Sequence, residues 1–172
     1  MPEMTLLGGF HTILGILAVL SGFYTLYKYR VISYEVSSGK LYILVTLLVA
    51  GSALGIYNQG GFGVAHILGV LTLIALAGGY IMERYKWFGS FSKYFQALGY
   101  TSTLLFHMIP AITDFLRRLP VGDTFIDSFE DPLLLNFHLA FLIIYVVGII
   151  AQMIWLKTVS YTHLTLPTTP YV

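Results

Sequence analysis

Long apolar runs, separated by short polar segments, dominate the chain. A spanning helix needs roughly 20 apolar residues at about 1.5 Å each, and five runs approach or exceed that length. None of the five contains lysine or arginine. The runs are Leu6–Tyr27, Leu41–Tyr57, Phe62–Met82, Tyr94–Phe115 and Leu133–Leu156. The pattern predicts an all-α integral membrane bundle of five transmembrane helices over residues 1–157, with a tight turn at Tyr57–Gly61 joining the second and third.

Composition supports a lipid environment. The chain of 172 residues is 57% hydrophobic and 10% charged, whereas a soluble domain carries about 25% charged residues. The formal charge of +1 argues against a basic nucleic-acid-binding protein. The chain has no cysteine, which excludes thiolate metal sites, disulfides and covalent c-type haem attachment. We therefore expect the lipid bilayer as the main partner, and no nucleic acid.

The charged residues between the runs predict an orientation. Seven basic residues fall on one side of a five-span arrangement: Lys28, Arg30, Lys40, Arg84, Lys86, Lys93 and Lys157. Only Arg117 and Arg118 fall on the other side, together with most of the acidic residues. By the positive-inside rule the N-terminus should be outside and the C-terminus cytoplasmic. We expect a multi-pass protein of a bacterial inner membrane.

The composition changes abruptly after Lys157, where threonines and two prolines argue against a continuing helix. Residues 158–172 form a tail outside the predicted bundle. The segment Ser160–Val172 resembles translated sequencing-adaptor read-through, in which case the natural C-terminus differs from this one. The alternative is a natural disordered cytoplasmic tail.

Four histidines lie inside four different runs, and none is in the predicted cytoplasmic half. They are His11, His66, His107 and His138. By residue count, three lie roughly 6–8 Å below the outer boundary, and His107 lies roughly 12 Å below it. Ionisable side chains are costly in a membrane and normally face a partner, a cavity or a cofactor. The sequence therefore predicts a histidine cluster on the outer side.

Several chemistries suit such a cluster. Two of the imidazoles could ligate a b-type haem for electron transfer, or imidazole and carboxylate could hold a divalent metal. A quinone or proton site using His107, Asp114 and a tyrosine is a third interpretation. Gly15 and Gly69, each one turn from a histidine, would give either a smooth wall for a flat cofactor or a helix-packing seam. Packing and capping roles for the histidines remain the plain alternative.

Two other functions remain open at this point. The chain could be a transport component for a metal ion, a proton or a small molecule, and five spans would then imply a homo-oligomer. It could also be a structural or assembly protein without a site. An electron-transfer role would imply a membrane redox partner. No nucleophile elbow, phosphate loop or metalloprotease motif is present, so whether the chain is an enzyme stays open.

Some segments carry a family resemblance. They are the early His11-x-x-x-Gly15 pattern, Ser38-Gly39-Lys40-Leu41-Tyr42, Gly60-Gly61-Phe62-Gly63-Val64-Ala65-His66 and Leu105-Phe106-His107-Met108-Ile109-Pro110. Together they resemble an uncharacterised bacterial family of multi-span predicted membrane proteins with a domain of unknown function. The resemblance implies a membrane-bundle fold but no reaction. Membrane cytochromes of the b561 kind are a looser analogy, although their haem ligands lie near both membrane faces.

Overall fold

The computed structural model describes residues 5–57 and 61–165, with side chains to Val159, and this part of the chain contains helices and no strand. Five α-helices follow one another, with one turn of 3₁₀ helix, Gly89–Phe91, before the fourth. They are α1 Leu6–Tyr29, α2 Ser37–Ala53, α3 Val64–Tyr85, α4 Ser92–Arg118 and α5 Pro132–Thr165. The all-α fold class that the apolar runs predict is confirmed.

Within the described residues, three helices are long and apolar enough to cross a membrane: α1, α3 and the segment Pro132–Val159 of α5. α2 is apolar but has 17 residues, about 26 Å at 1.5 Å per residue, which is less than the hydrocarbon thickness of about 30 Å. α4 has 27 residues but carries hydroxyl, amide and charged side chains along its length. The structure supports a multi-pass membrane protein, whereas the count of five spans and the orientation of the termini stay predictions.

The helix ends differ most from the predicted ones in α2 and α5. α2 begins at Ser37 and ends at Ala53, so it is shifted toward the N-terminus relative to the apolar run. Of the predicted turn at 57–61, residues 58–60 lie outside the described residues. α5 continues through Thr165, so the expectation that the helix stops near Lys157 is wrong. Its threonines evidently do not interrupt the helical hydrogen bonds, and the first proline comes only at residue 167. The origin of the tail stays a prediction.

Consecutive helices pack against each other, which gives the bundle two distinct ends. We call one the basic end; it comprises the 30–36 connection, the 86–91 turn and the C-terminal part of α5. We call the other the cavity end; it comprises the start of α1, the end of α2 and the 119–131 connection. Six of the seven basic residues counted above lie in or beside the two connections at the basic end.

The connection between α1 and α2 is pinned by side chains from the three other helices. Glu83 of α3 accepts hydrogen bonds from the Ser33 hydroxyl at 2.5 Å and from the Tyr34 backbone amide at 2.9 Å. Gln96 of α4 donates to the Ile32 carbonyl at 3.1 Å, and Gln152 of α5 donates to the Arg30 carbonyl at 2.8 Å. Buried backbone groups need partners, and these three polar side chains supply them.

The core lies between the two ends, where helices approach closely at glycines. A Cβ added at Gly99 of α4 would lie 2.8 Å from the Ala75 carbonyl oxygen of α3, so these two backbones are in direct contact. Small residues allow this in membrane bundles, where helix association depends on close packing. Tyr42 and Tyr100 fill the adjacent space and are fully buried, and the Tyr42 hydroxyl is hydrogen-bonded to Thr103. His11 and His107 lie on the cavity-end side of this packed core.

Candidate functional site

A large cavity opens between the N-terminal half of α1 and the C-terminal half of α4. Its volume is about 1430 Å³, and residues 119–127 of the α4–α5 connection cover one side of it. His11 of α1 and His107 of α4 both line it, together with Asp114. The apolar wall of the cavity includes Ile16, Val19, Leu20, Met108 and Phe115. Two of the four predicted site histidines therefore share one space.

α2 positions the His11 ring. Nδ1 of His11 lies 3.0 Å from Oγ of Ser52. The Ser52 hydroxyl donates its only hydrogen to the Val49 carbonyl at 2.9 Å, so its oxygen accepts from Nδ1–H of the imidazole. In the neutral ring, Nε2 of His11 then carries the lone pair. Ser52 on α2 thus favours the tautomer of His11 in which Nε2 accepts a proton.

His107 is held at a second position on the same helix. Its Nε2 lies 3.1 Å from Oγ1 of Thr46, and its ring meets Tyr42 edge-on at 6.4 Å between centroids. The residue is 8% exposed. Nδ1 of His107 makes no hydrogen bond within the described residues. A polar ring atom is therefore available to a ligand at a buried position on the cavity wall.

Charged residues surround the mouth of the cavity. Asp114 has a side chain that is 67% exposed and pairs weakly with Arg118, at 3.7 Å. Asp114 and His11 line the same cavity. Arg117 also lines the cavity, but its guanidinium carbon lies 3.8 Å from the ring centroid of Phe129, a cation–π contact. Asp114 therefore connects the histidine region with the aqueous rim.

Gly15 and Gly22 lie seven residues, or two turns, apart on one face of α1. This face has both roles that the sequence left open, cavity wall and packing seam. A Cβ added at Gly15 would meet nothing within 4 Å, and this glycine lines the cavity. A Cβ added at Gly22 would lie 2.8 Å from side-chain atoms of Leu104 and Tyr42. This face of α1 is thus a smooth cavity wall near His11 and a packing seam around Gly22.

His66 serves the local structure of α3. Its Nδ1 accepts a hydrogen bond from the Gly63 backbone amide at 3.1 Å, which caps the start of the helix. The ring stacks on Phe62 with centroids 4.9 Å apart and lies 4.7 Å from the ring of Tyr57. The neighbouring Gly69 packs against α2, 3.3 Å from a Leu54 methyl group by its added Cβ. His66 does not line the cavity, and its Nε2 is buried without a hydrogen-bond partner among the described residues.

His138 also lies outside the cavity and contacts α4. Its Nε2 lies 3.2 Å from Oγ1 of Thr113, so it joins α5 to α4 at the cavity end. His138 does not line the cavity. No group of three or more His, Asp or Glu side chains that could hold a metal ion is found among the described residues. The predicted four-histidine cluster is therefore corrected to the pair His11 and His107, because similar depth does not make side chains on differently rotated helices converge.

Sequence reasoning missed the hydroxyl groups that position this pair. Thr46 and Ser52 lie in an apolar run that has no histidine, and nothing in their spacing marks them as partners of α1 and α4. A weak signal was available, since polar side chains in a membrane helix usually seek a partner on another helix. α2 is thus the element that organises the site.

In comparisons with known proteins, no family model matches the chain, and neither a curated protein nor a solved structure matches it. The family resemblance and the cytochrome analogy gain no support from these comparisons. Function must therefore be argued from the cavity and the side chains that line it.

Proposed function

We propose that the chain is a five-span bacterial inner-membrane protein that binds a quinone-class molecule, dissolved in the lipid, in the cavity between α1 and α4. One observation carries this proposal: His11 and His107, from different helices, share a cavity whose helical walls are largely apolar, and whose lining also includes three carboxylates (Asp114, Asp123 and Asp127) and two arginines (Arg117 and Arg118). Binding sites for small molecules are commonly apolar spaces with a few placed polar groups. A quinone has this division too, with a flat polar ring and an apolar tail.

The wall of the cavity supports access from the lipid. Ile16 and Leu20 line the cavity and are also 58% and 64% exposed on the surface of the bundle. The apolar lining is therefore continuous with a lipid-facing surface of α1. A tail that follows these residues would stay in hydrocarbon while the ring reaches the histidines. Gly15 leaves room for a flat ring against the helix, since no atom would meet a Cβ there within 4 Å.

The two imidazoles suit the two oxygens of such a ring. Their partners Thr46 and Ser52 are six residues apart on α2, which corresponds to about 9 Å along the helix axis. Metal–nitrogen bonds of about 2 Å would require the two rings to converge on one point. Rings held at different depths instead favour a ligand with hydrogen-bonding atoms on opposite edges. His11 Nε2 would accept from a quinol hydroxyl, and His107 Nδ1 would bind the other oxygen.

Asp114 adds a path for protons in this proposal. A carboxylate that lines the cavity and is also exposed can exchange protons between His11 and water. Electron transfer would need a redox partner from outside the chain. The proposal therefore assigns binding and proton exchange to these residues, and assigns no oxidation step to the chain alone.

The direct test is titration of the purified protein with a short-tailed ubiquinone and with a menaquinone analogue, measured by calorimetry. We expect His107→Leu and His11→Leu to weaken binding about tenfold or more each, corresponding to about 1.4 kcal/mol. His138→Leu is the matched control, because this histidine lies at the same end but is held by Thr113 outside the cavity. No saturable quinone binding, or equal losses in all three variants, would reject the proposal.

A b-type haem is the second candidate: the cavity is large and the two rings come from different helices, whereas their different depths argue against both binding one iron. Haem-replete expression separates the two functions. A Soret band that shifts on reduction and is lost in both His11→Leu and His107→Leu would assign haem. A colourless protein that binds quinone would assign the first function.

A further inference from the structure

We infer that the basic end carries a separate binding site for the headgroup of an anionic phospholipid, located where α3 turns into α4. The site would use Lys86 and Lys93, and it lies at the opposite end of the bundle from the α1–α4 cavity. It does not depend on the proposed quinone function. Three features of this turn support the site: its fixed backbone, its exposed aromatic residues and its lysine-lined hollow.

The turn has a defined backbone. α3 ends where Lys86 takes a left-handed conformation with φ 52, and Gly89 takes another with φ 54. The Gly89 amide donates to the Lys86 carbonyl at 2.8 Å, and the Phe88 amide donates to the Ser92 hydroxyl at 3.0 Å. These hydrogen bonds connect the end of α3 to the start of α4. The side chains of the turn are thus displayed by a structured surface.

Large aromatic side chains project from this turn. Trp87, Phe88 and Phe91 are between 55% and 68% exposed, and Tyr85 and Phe95 on the flanking helices are exposed as well. An apolar patch of this kind is unusual in contact with water. Aromatic residues are instead enriched where a membrane protein passes through the headgroup layer. The turn is therefore suited to lie among lipid headgroups.

A small hollow lies beside these aromatic residues. Its volume is about 330 Å³, and Lys86, Lys93 and Ser90 contribute to its lining, as does Glu83. The Glu83 carboxylate accepts hydrogen bonds from Ser33, the Tyr34 amide and the Tyr100 hydroxyl, so it faces the α1–α2 connection. Lys86 forms no ion pair among the described residues. The Lys93 ammonium donates to the Leu156 carbonyl of α5 at 3.2 Å, and it contributes its positive charge to the hollow from that position.

Charge complementarity selects the occupant. Two lysines at one hollow attract a phosphate, and aromatic residues at the headgroup layer place that phosphate on a lipid. The remaining basic residues at this end, including Arg30 and Arg84, strengthen the same field. Near a membrane surface each lysine should contribute about a fivefold preference for anionic lipid. A phosphatidylglycerol or a similar anionic lipid is therefore the ligand that the hollow fits, in preference to a zwitterionic one.

Trp87 provides the reporter for a direct test. The full chain carrying Trp155→Phe retains a single tryptophan and is reconstituted in vesicles of phosphatidylcholine that contain either brominated phosphatidylglycerol or brominated phosphatidylcholine. We expect the brominated anionic lipid to quench Trp87 with a preference of tenfold or more at equal mole fraction. The variant Lys86→Gln with Lys93→Gln should lose most of this preference. Lys28→Gln with Lys40→Gln removes the same charge at the same end, and should retain it.

The outcomes are distinguishable. Equal loss in both double variants would mean that only the general field of the basic end attracts anionic lipid, and would overturn the site. Displacement of the lipid by millimolar inorganic phosphate would assign a free anion instead. If the Lys86 and Lys93 variant does not fold, the unsubstituted lysines are tested by salt: the preference of the Trp155→Phe protein must fall as ionic strength rises, and a salt-independent preference contradicts the proposal.

Discussion

The two ends of the bundle both place polar side chains among apolar helices, but they use them differently. At the basic end, Glu83, Gln96 and Gln152 form hydrogen bonds to the connection between α1 and α2. At the cavity end, His11 and His107 are each held through one ring nitrogen and line an open space. A polar residue in a membrane helix thus becomes a site candidate when it has hydrogen-bonding capacity left over and also lines an open space; the buried Nε2 of His66 has no partner among the described residues, but His66 does not line the cavity.

This difference has a consequence for stability. Groups that bind only other segments of the chain contribute to folding, whereas groups that face a cavity contribute little until a ligand is bound. Substitutions at the basic end should therefore lower the free energy of unfolding without changing the cavity. Substitutions at the cavity end should change binding while the fold remains.

The largest effect is expected for Glu83→Ala. This change removes the acceptor of the Ser33 hydroxyl, the Tyr34 amide and the Tyr100 hydroxyl at once. Leaving buried donors unsatisfied costs about 1–3 kcal/mol each, so we expect a loss of about 3 kcal/mol in the free energy of unfolding. Denaturant titration in detergent measures it. A loss no larger than that of an exposed control, Glu35→Ala, would show that the basic end is not held in this way.

The next largest effect is expected at one of two glycines on α1, Gly22 in the packing seam, and not at Gly15 in the cavity wall. Gly22→Ala would place a Cβ 2.8 Å from Leu104 and Tyr42 atoms, and overpacking of this kind costs about 1–3 kcal/mol. Gly15→Ala meets nothing within 4 Å and should leave stability unchanged or slightly higher. Gly15→Phe should keep the fold and block the cavity. Thermal unfolding and quinone titration of the three variants distinguish packing from binding; equal destabilisation by both alanine variants would contradict the division of this face.

Much of the fold could be predicted because hydrophobicity is additive along a chain. The apolar runs located α1, α3 and α5 closely, since length and composition decide whether a helix can span a membrane. α2 was displaced because its first residues, Ser37–Lys40, are polar by composition yet helical. The continuation of α5 was missed because threonines and later prolines weigh against a helix in a short window.

The candidate site was harder to predict for a geometric reason. Residue counting gives depth, and depth correctly placed His11 and His107 near one end. It does not give the rotation of each helix about its axis, which decides that His66 caps α3 and that His138 reaches Thr113. The hydrogen bonds of Glu83 and Gln152 were likewise not predicted, although a glutamine in the apolar stretch after His138 in α5 is a signal that could have been followed.

Gln152→Leu tests the basic end more gently than Glu83→Ala. The side chain donates to the Arg30 carbonyl at 2.8 Å and accepts from the Thr101 hydroxyl at 3.0 Å. Hydrogen bonds between membrane helices contribute about 0.6 kcal/mol on average, so a loss of about 1 kcal/mol is expected from the pair. Denaturant titration gives the value, and Asn136→Leu on an exposed position of α5 is the control. Unchanged quinone affinity in the same variant would confirm that the two ends act separately.

The smallest expected effect comes from a substitution that tests whether the hydrogen bond of His107 serves ligand binding or helix packing. Thr46→Val removes the hydroxyl that lies 3.1 Å from Nε2 of His107 while keeping the shape of the side chain. The imidazole should remain in the cavity wall but lose its fixed orientation, so we expect quinone affinity to fall about threefold, corresponding to about 0.6 kcal/mol, with little change in stability. Thr113→Val, which removes the partner of His138 in the same way, should leave affinity unchanged. If Thr46→Val instead destabilises the fold as much as Gln152→Leu and leaves binding intact, His107 belongs to the packing of α2 and α4, and the cavity end works like the basic end.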